Sequence, residues 1–257
     1  MTGRVKHWVF LGPLLFALFS SSLHGQSASP LISDPGKEMA SQQTFQFAGN
    51  PRTYSLFIPN GDGPLPVVVL LHGSGRSGQV MVDAWKDLAS KEHFIIVAPD
   101  AFNPSGWGVK MDSPDFLHAV VEQVKAKHSI DTSRIYLFGH SAGAVHALVF
   151  AIIDSHYYAA AAVHAGALPP GYEKLLFSRV ERRMPIAIWV GDKDPLFSLD
   201  AVTASKRLFE ANGFDVKLTV IPGHDHDYYL ISDEVNTQAW EFLKKAQLQA
   251  SDFAGQH

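Results

Sequence analysis

Short apolar runs rich in branched residues alternate along this sequence with segments of helical spacing, and that alternation limits the fold more than any other feature. Pro66-Val-Val-Val-Leu-Leu71 contains no polar residue, so it suits a strand buried on both faces. Residues 80–91 follow with Val82, Trp85, Leu88 and Ala89 three and four apart, the spacing of one helical face. The same pairing recurs downstream. Strands are expected at 94–98, 135–138, 158–163, 186–190 and 216–221, with helices at 114–127, 142–153, 198–212 and 233–247. Such alternation implies a three-layer α/β sandwich around a mostly parallel sheet. Upstream, β-formers at 42–47 and 52–59 flank Gly49-Asn50-Pro51 and predict an N-terminal antiparallel hairpin at the sheet edge. Residues 165–184 are the least regular, a small cap or a long loop with one short helix. Parallel sheets bind ligands at the carboxyl ends of their strands, so the residues just after each strand are the ones to inspect.

A chain of 257 residues with 46% hydrophobic content can bury one sizeable core. A net charge of -4 and a pI near 6.3 lack the basic surplus that phosphate backbones require, which argues against nucleic acid as a partner. Arg4, Lys6 and His7 precede an apolar run over 8–19, and small polar residues follow, the order of a secretory signal peptide. The run is shorter than the roughly 20 residues of a spanning helix and Pro13 interrupts it, so no stable membrane insertion is expected once it is removed. The expected organisation is a signal peptide over 1–25, cut near Gly25 or Ala28, a flexible leader over 26–41 and a single catalytic domain over 42–248. The expected location is secreted or periplasmic. With no cysteine, the protein must rely on its core rather than on disulfides.

Gly139-His140-Ser141-Ala142-Gly143 fits Gly-x-Ser-x-Gly between an expected strand and an expected helix. A serine on such a turn is lifted out of the sheet as a nucleophile, with a helix N-terminus beneath any charge that develops. His72-Gly73-Ser74-Gly75 follows the first buried strand, where backbone N–H groups can hold an oxyanion; the expected donors are those of Ser74 and Ala142. His72 precedes the serine and so stands in the wrong chain order to be its base. Gly191-Asp192-Lys193-Asp194-Pro195 offers two carboxylates, Asp194 preferred because Pro195 can fix its loop and Asp192 the alternate. Gly223-His224-Asp225-His226 offers two bases, His226 preferred because the glycine gives its loop room to rise, and His224 the alternate. The order serine, aspartate, histidine is that of α/β-hydrolases. His-x-His also invites a zinc reading, but the usual continuation would need aspartate at 228 and histidine at 229, where tyrosines stand; no metal or other cofactor is expected.

The segment Ile130-Asp-Thr-Ser-Arg134-Ile-Tyr-Leu-Phe-Gly139-His-Ser-Ala-Gly143, with Leu-Leu-His72-Gly73 and Gly191-Asp-Lys-Asp194-Pro195, resembles extracellular esterases of the polyhydroxybutyrate depolymerase and feruloyl esterase group. The resemblance implies the α/β-hydrolase fold, ester hydrolysis through an acyl-enzyme, Asp194 as the acid and His226 as the base. It implies a small-molecule or carbohydrate-linked ester as substrate. The sequence departs from that group at Tyr228-Tyr229, Ser74 and Ala144, around the expected pocket. His72, Phe102, Trp107, His140, Tyr228 and Tyr229 are candidates for its lining. Two other readings use the same residues: a serine peptidase, and a non-catalytic binding protein on the same fold.

Overall fold

The computed structural model describes residues 38–171 and 173–249. The expected signal peptide over 1–25 and residues 26–37 of the expected leader lie outside the described residues. The strands are β1 (Met39–Phe47), β2 (Asn50–Ile58), β3 (Leu65–Leu71), β4 (Ile95–Pro99), β5 (Ile130–His140), β6 (Ala160–His164), β7 (Ile186–Gly191) and β8 (Val216–Ile221). The helices are α1 (Gly78–Glu92), α2 (Pro114–Lys125), α3 (Ala142–Ile153), α4 (Glu173–Phe177), α5 (Leu199–Ala211) and α6 (Ser232–Leu243). Side by side the strands run β1, β2, β4, β3, β5, β6, β7, β8. The first two pairings are antiparallel and all the others parallel.

Burial on both faces follows from the branched runs. Val67, Val69 and Leu71 of β3 point into one core with Phe116 of α2, Ala147 of α3 and Val202 of α5. Val68 and Leu70 point into the other, with Trp85 of α1 and Trp240 of α6. Successive side chains of a strand face opposite ways, so an uninterrupted apolar run needs a helical layer on each side.

α6 ends at Leu243 rather than at 247, and the starts of β1 and β5 differ from expectation for physical reasons. β1 begins at Met39, inside the expected leader, because Met39, Ser41, Gln43, Phe45 and Phe47 alternate inward along an edge strand. Its polar inward residues hide that period, while Phe45 and Phe47 meet Phe116 at 6.2 and 5.5 Å between ring centres. β5 begins at Ile130 because Leu65 pairs with Ile130 before the register shifts and Val67 takes Ile135. Asp131 secures that irregular stretch by accepting from the Ser133 N–H and from Arg134 Nε. Within 165–184 the regular element is α4, whose Phe177 packs edge-on against Phe209 and Phe214. Among the described residues no helix is long and apolar enough to cross a membrane.

Candidate active site

Ser141 sits between β5 and α3 with φ 56° and ψ -118°, a backbone conformation that a residue with a side chain adopts only under strain. The turn is tight because β5 and α3 pack against β3: a Cβ on Gly143 would lie 2.1 Å from the Leu71 carbonyl oxygen. Serine at the start of a helix usually caps an N–H of the first turn. Ser141 makes no such bond; its Oγ lies 2.9 Å from His226 Nε2.

His226 reaches the serine from the loop after β8. Its Nδ1 donates to Asp194 Oδ2 at 2.8 Å, so Nε2 is the acceptor for the serine hydroxyl. Asp194 comes from the loop after β7, and its other oxygen accepts from the N–H groups of Leu196 and Phe197 at 2.8 and 2.9 Å. Burial alone would raise the Asp194 carboxyl; the Phe197 N–H, His226 and the Leu196 N–H outweigh it and hold the group below its ordinary value. Phe197 lies nearly parallel to the His226 ring at 5.8 Å.

The alternates occupy other places. Asp192 accepts from the Gly223 N–H at 2.7 Å and braces the loop that carries His226. His224 turns away toward His164, ring centres 5.3 Å apart, while its carbonyl accepts from the Lys193 N–H. Gly191 lets this carbonyl approach, since a Cβ there would lie 2.0 Å from it.

The expected oxyanion donors flank the serine. Ala142 opens α3, and the first N–H groups of a helix have no acceptor within it. Ser74 lies in a turn whose bonds run from Gly75 N–H to the Pro104 carbonyl and from Arg76 N–H to the Gly73 carbonyl. His72 holds this loop from below. Its Nε2 accepts from the Ala101 N–H at 3.0 Å, so Nδ1 carries the proton and donates to the Gly73 carbonyl at 2.8 Å. Burial lowers the His72 pKa, and protonation would break the Ala101 bond.

The open cleft over Ser141 measures about 410 Å³ and is lined by Ser74, Arg76, His140, Leu196, Asp225 and Tyr229, among others. The expected lining residues divide. His140 and Tyr229 reach the cleft. His72 is buried under the loop that carries Ser74, and Trp107 fastens that loop by donating from its indole N–H to the His72 carbonyl at 2.8 Å. Phe102 is exposed outside the cleft, and no described residue of 165–184 lines it. Tyr228 is fully buried: its hydroxyl accepts from Trp85 Nε1 at 2.7 Å and donates to Asn236 Oδ1. The short helical turn at Tyr228–Leu230 turns these adjacent tyrosines to different surroundings.

Sequence reasoning passed over Leu196 and Arg76, which line the cleft, and Phe197 and His164, which lie behind it. Pro195 beside Leu196, the position of Arg76 just past the glycine turn and that of His164 directly after the strand expected at 158–163 were available signals. Among the described residues no group of three or more histidines and carboxylates is arranged to share a metal ion.

The sheet order, the N-terminal hairpin and the strand-end loops are those of the α/β-hydrolase fold. Residues 108–246, more than half of the chain, match the Phospholipase/Carboxylesterase family, and the chain belongs to it. Among curated relatives it is 28% identical to poly(3-hydroxyalkanoate) depolymerase C of Paucimonas lemoignei over 63% of this chain and 39% of that one. It is 25% identical to a probable acetylxylan esterase A of Aspergillus fumigatus over 63% of this chain and 47% of that one. The chain thus spans less than half the length of either relative. A solved ferulic acid esterase from Anaeromyces mucronatus shares the fold, with a TM-score of 0.65, 20% identity and coverage of 79% of this chain and 89% of that one.

Proposed function

We propose that the protein is a serine esterase that hydrolyses carboxylic esters through an acyl-enzyme. The observation that carries this reading is the continuous line from Ser141 Oγ to His226 Nε2 at 2.9 Å and from His226 Nδ1 to Asp194 Oδ2 at 2.8 Å. Ser141 attacks the ester carbonyl and its proton passes to His226 Nε2, while Asp194 keeps the ring in the accepting tautomer and stabilises the imidazolium. The tetrahedral oxygen is held by the N–H groups of Ser74 and Ala142, over the positive end of α3. His226 then gives the proton to the leaving alcohol, and water repeats the sequence to release the acid. No cofactor enters these steps.

The size of the cleft supports a small-molecule ester or the ester-bearing part of a carbohydrate. The names of the depolymerase and acetylxylan esterase relatives point the same way. The basic start and the apolar run over 8–19 support export, to the medium or the periplasm, with a catalytic domain that begins at β1 rather than at 42 and runs to 248. The test is turnover of short-chain 4-nitrophenyl esters by the purified protein and by Ser141→Ala. The variant is expected to lose about three or more orders of magnitude in kcat with an unchanged melting temperature. Full activity in the variant would overturn the reading.

A further inference from the structure

The consecutive peptide units around Ser74 are each held by a hydrogen bond. The His72 carbonyl accepts from Trp107 Nε1 at 2.8 Å. The Gly73 carbonyl accepts from His72 Nδ1 at 2.8 Å and from the Arg76 N–H at 3.2 Å. The Gly75 N–H donates to the Pro104 carbonyl at 2.7 Å. The middle unit joins the Gly73 carbonyl to the Ser74 N–H, and a planar trans peptide points these two groups in opposite directions. Holding the Gly73 carbonyl toward the His72 ring therefore aims the Ser74 N–H away from that ring. Ser74 itself lines the cleft.

The grips on these units come from one loop, residues 100–112. Its Ala101 N–H donates to His72 Nε2 at 3.0 Å, which leaves the ring proton on Nδ1 for the Gly73 carbonyl; Pro104 and Trp107 hold the units on either side. The loop has no helix or strand of its own beyond a single bridge between Asn103 and Gly106, so its shape depends on how it is anchored. Asp112 supplies the anchor. Its Oδ1 accepts from the Phe102 N–H and its Oδ2 from the Gly108 N–H, both at 2.9 Å. Arg52 of β2 holds the same carboxylate at 2.6 Å and donates to the Asp100 and Met111 carbonyls at 3.0 and 2.7 Å. Within the loop the Trp107 indole packs against the His72 ring at 4.9 Å and against the His146 ring of α3 at 5.4 Å. His146 Nε2 in turn donates to the Asp112 carbonyl at 2.8 Å. Trp107 thus touches both elements that carry the N–H donors of the proposed cycle.

We propose that Trp107 is a positioning residue for ester hydrolysis: the bond from its indole N–H to the His72 carbonyl keeps the Ser74 N–H aimed at the oxygen that becomes charged. This rests on the esterase reading and adds to it a residue that touches no substrate, since Trp107 does not line the cleft. A donor stabilises a transition state most when it is fixed in place before the charge develops, because a loose one must reorient during the step. Loss of the Trp107 bond therefore acts on the transition state and leaves binding of the uncharged ester as it was.

The test replaces Trp107 with 3-benzothienylalanine, which keeps the two fused rings and puts sulfur where the N–H stands. Trp107→Phe is the second variant, and Val109→Ala, at an exposed side chain of the same loop, is the control. On a short-chain 4-nitrophenyl ester kcat is expected to fall about tenfold in both Trp107 variants, less than for a donor removed outright, with KM within about twofold of wild type. A second readout is one that a purely structural role would not move. A trifluoromethyl ketone takes the Ser141 oxygen on its carbonyl carbon, the hydroxyl proton passes to His226, and the carbonyl oxygen becomes the charged group facing the N–H donors. Its inhibition constant is expected to rise by the factor by which kcat/KM falls, while the matching trifluoromethyl carbinol, which forms no adduct, binds as before. Val109→Ala is expected to match wild type in every measurement. Unchanged kcat in the benzothienyl variant, an equal rise for ketone and carbinol, or a fall of the same size in Val109→Ala would overturn the proposal and leave the esterase reading standing. A wild-type protein that neither turns over the ester nor binds the ketone more tightly than the carbinol would overturn both.

Discussion

Ser141 Oγ faces an imidazole instead of an N–H of its own helix, and the reactivity proposed for this serine rests on that choice. The tautomer of His226 matters as much as its position. Asp194 uses one oxygen for the N–H groups of Leu196 and Phe197 and reserves the other for His226 Nδ1. Asp194→Asn can present an N–H to that nitrogen and so turn the accepting face away from the serine. Its kcat is expected to fall about 10³- to 10⁴-fold with little change in KM, measured on a short-chain ester. The two histidines of the same loop should separate as sharply. His226→Ala is expected to lose at least about three orders of magnitude, whereas His224→Ala, which removes a ring directed at His164, should stay within about tenfold of wild type. Comparable losses in the two would contradict the assignment of the base.

At the scale of elements, the loops are held where strands and helices come closest. Gly143→Ala would place a methyl 2.1 Å from the Leu71 carbonyl and force α3 away from β3. A loss of about 2 kcal/mol or more in urea unfolding is expected, together with reduced turnover because the serine and the Ala142 N–H move with the helix. Tyr228 ties the His226 loop to α1 and α6 through Trp85 and Asn236, and Asn236 continues to the Ala84 carbonyl at 2.7 Å. Tyr228→Phe leaves two buried polar groups short of a partner and should cost about 1 to 3 kcal/mol, read from the same unfolding curves. The alternation of layers was legible in the sequence because runs such as Pro66–Leu71 admit no one-sided burial. The start of β1 was not, because Ser41 and Gln43 occupy inward positions on an edge strand where burial is only partial. Strand order and chain direction brought Ser141, Asp194 and His226 forward as candidates. The fate of the adjacent tyrosines was not legible, since one turn of backbone sends Tyr228 inward and Tyr229 to the cleft. Nor was the pairing of Arg52 with Asp112, which pins the loop carrying Trp107 through a buried ion pair at 2.6 Å, because it joins residues far apart in the chain.

Over the whole molecule, several imidazoles are stored in the neutral state inside the fold. Burial pushes His146 down to about 4, and His140 and His164 lie lower still. These values lie below the value near 6.5 of an unfolded histidine, so below about pH 6.5 the unfolded chain binds protons that the folded chain refuses. Their contribution is complete above that pH and is lost as pH falls toward the folded-state values, with a limiting slope of about 1.4 kcal/mol per pH unit for each ring. Unfolding midpoints in urea should therefore be level between pH 7 and 8 and drop steeply between pH 6 and 4; level midpoints down to pH 4 would contradict this picture of the interior. The same fold presents a serine, an imidazole and a carboxylate from three separate strand ends, and the account rests on that serine carrying the acyl group. Acid-quenched turnover of a short-chain ester, followed by peptide mapping in a mass spectrometer, tests it most directly. The expected result is an acyl adduct on Ser141 in the wild-type protein; continued turnover with no adduct there, or with the adduct on another residue, would contradict the account.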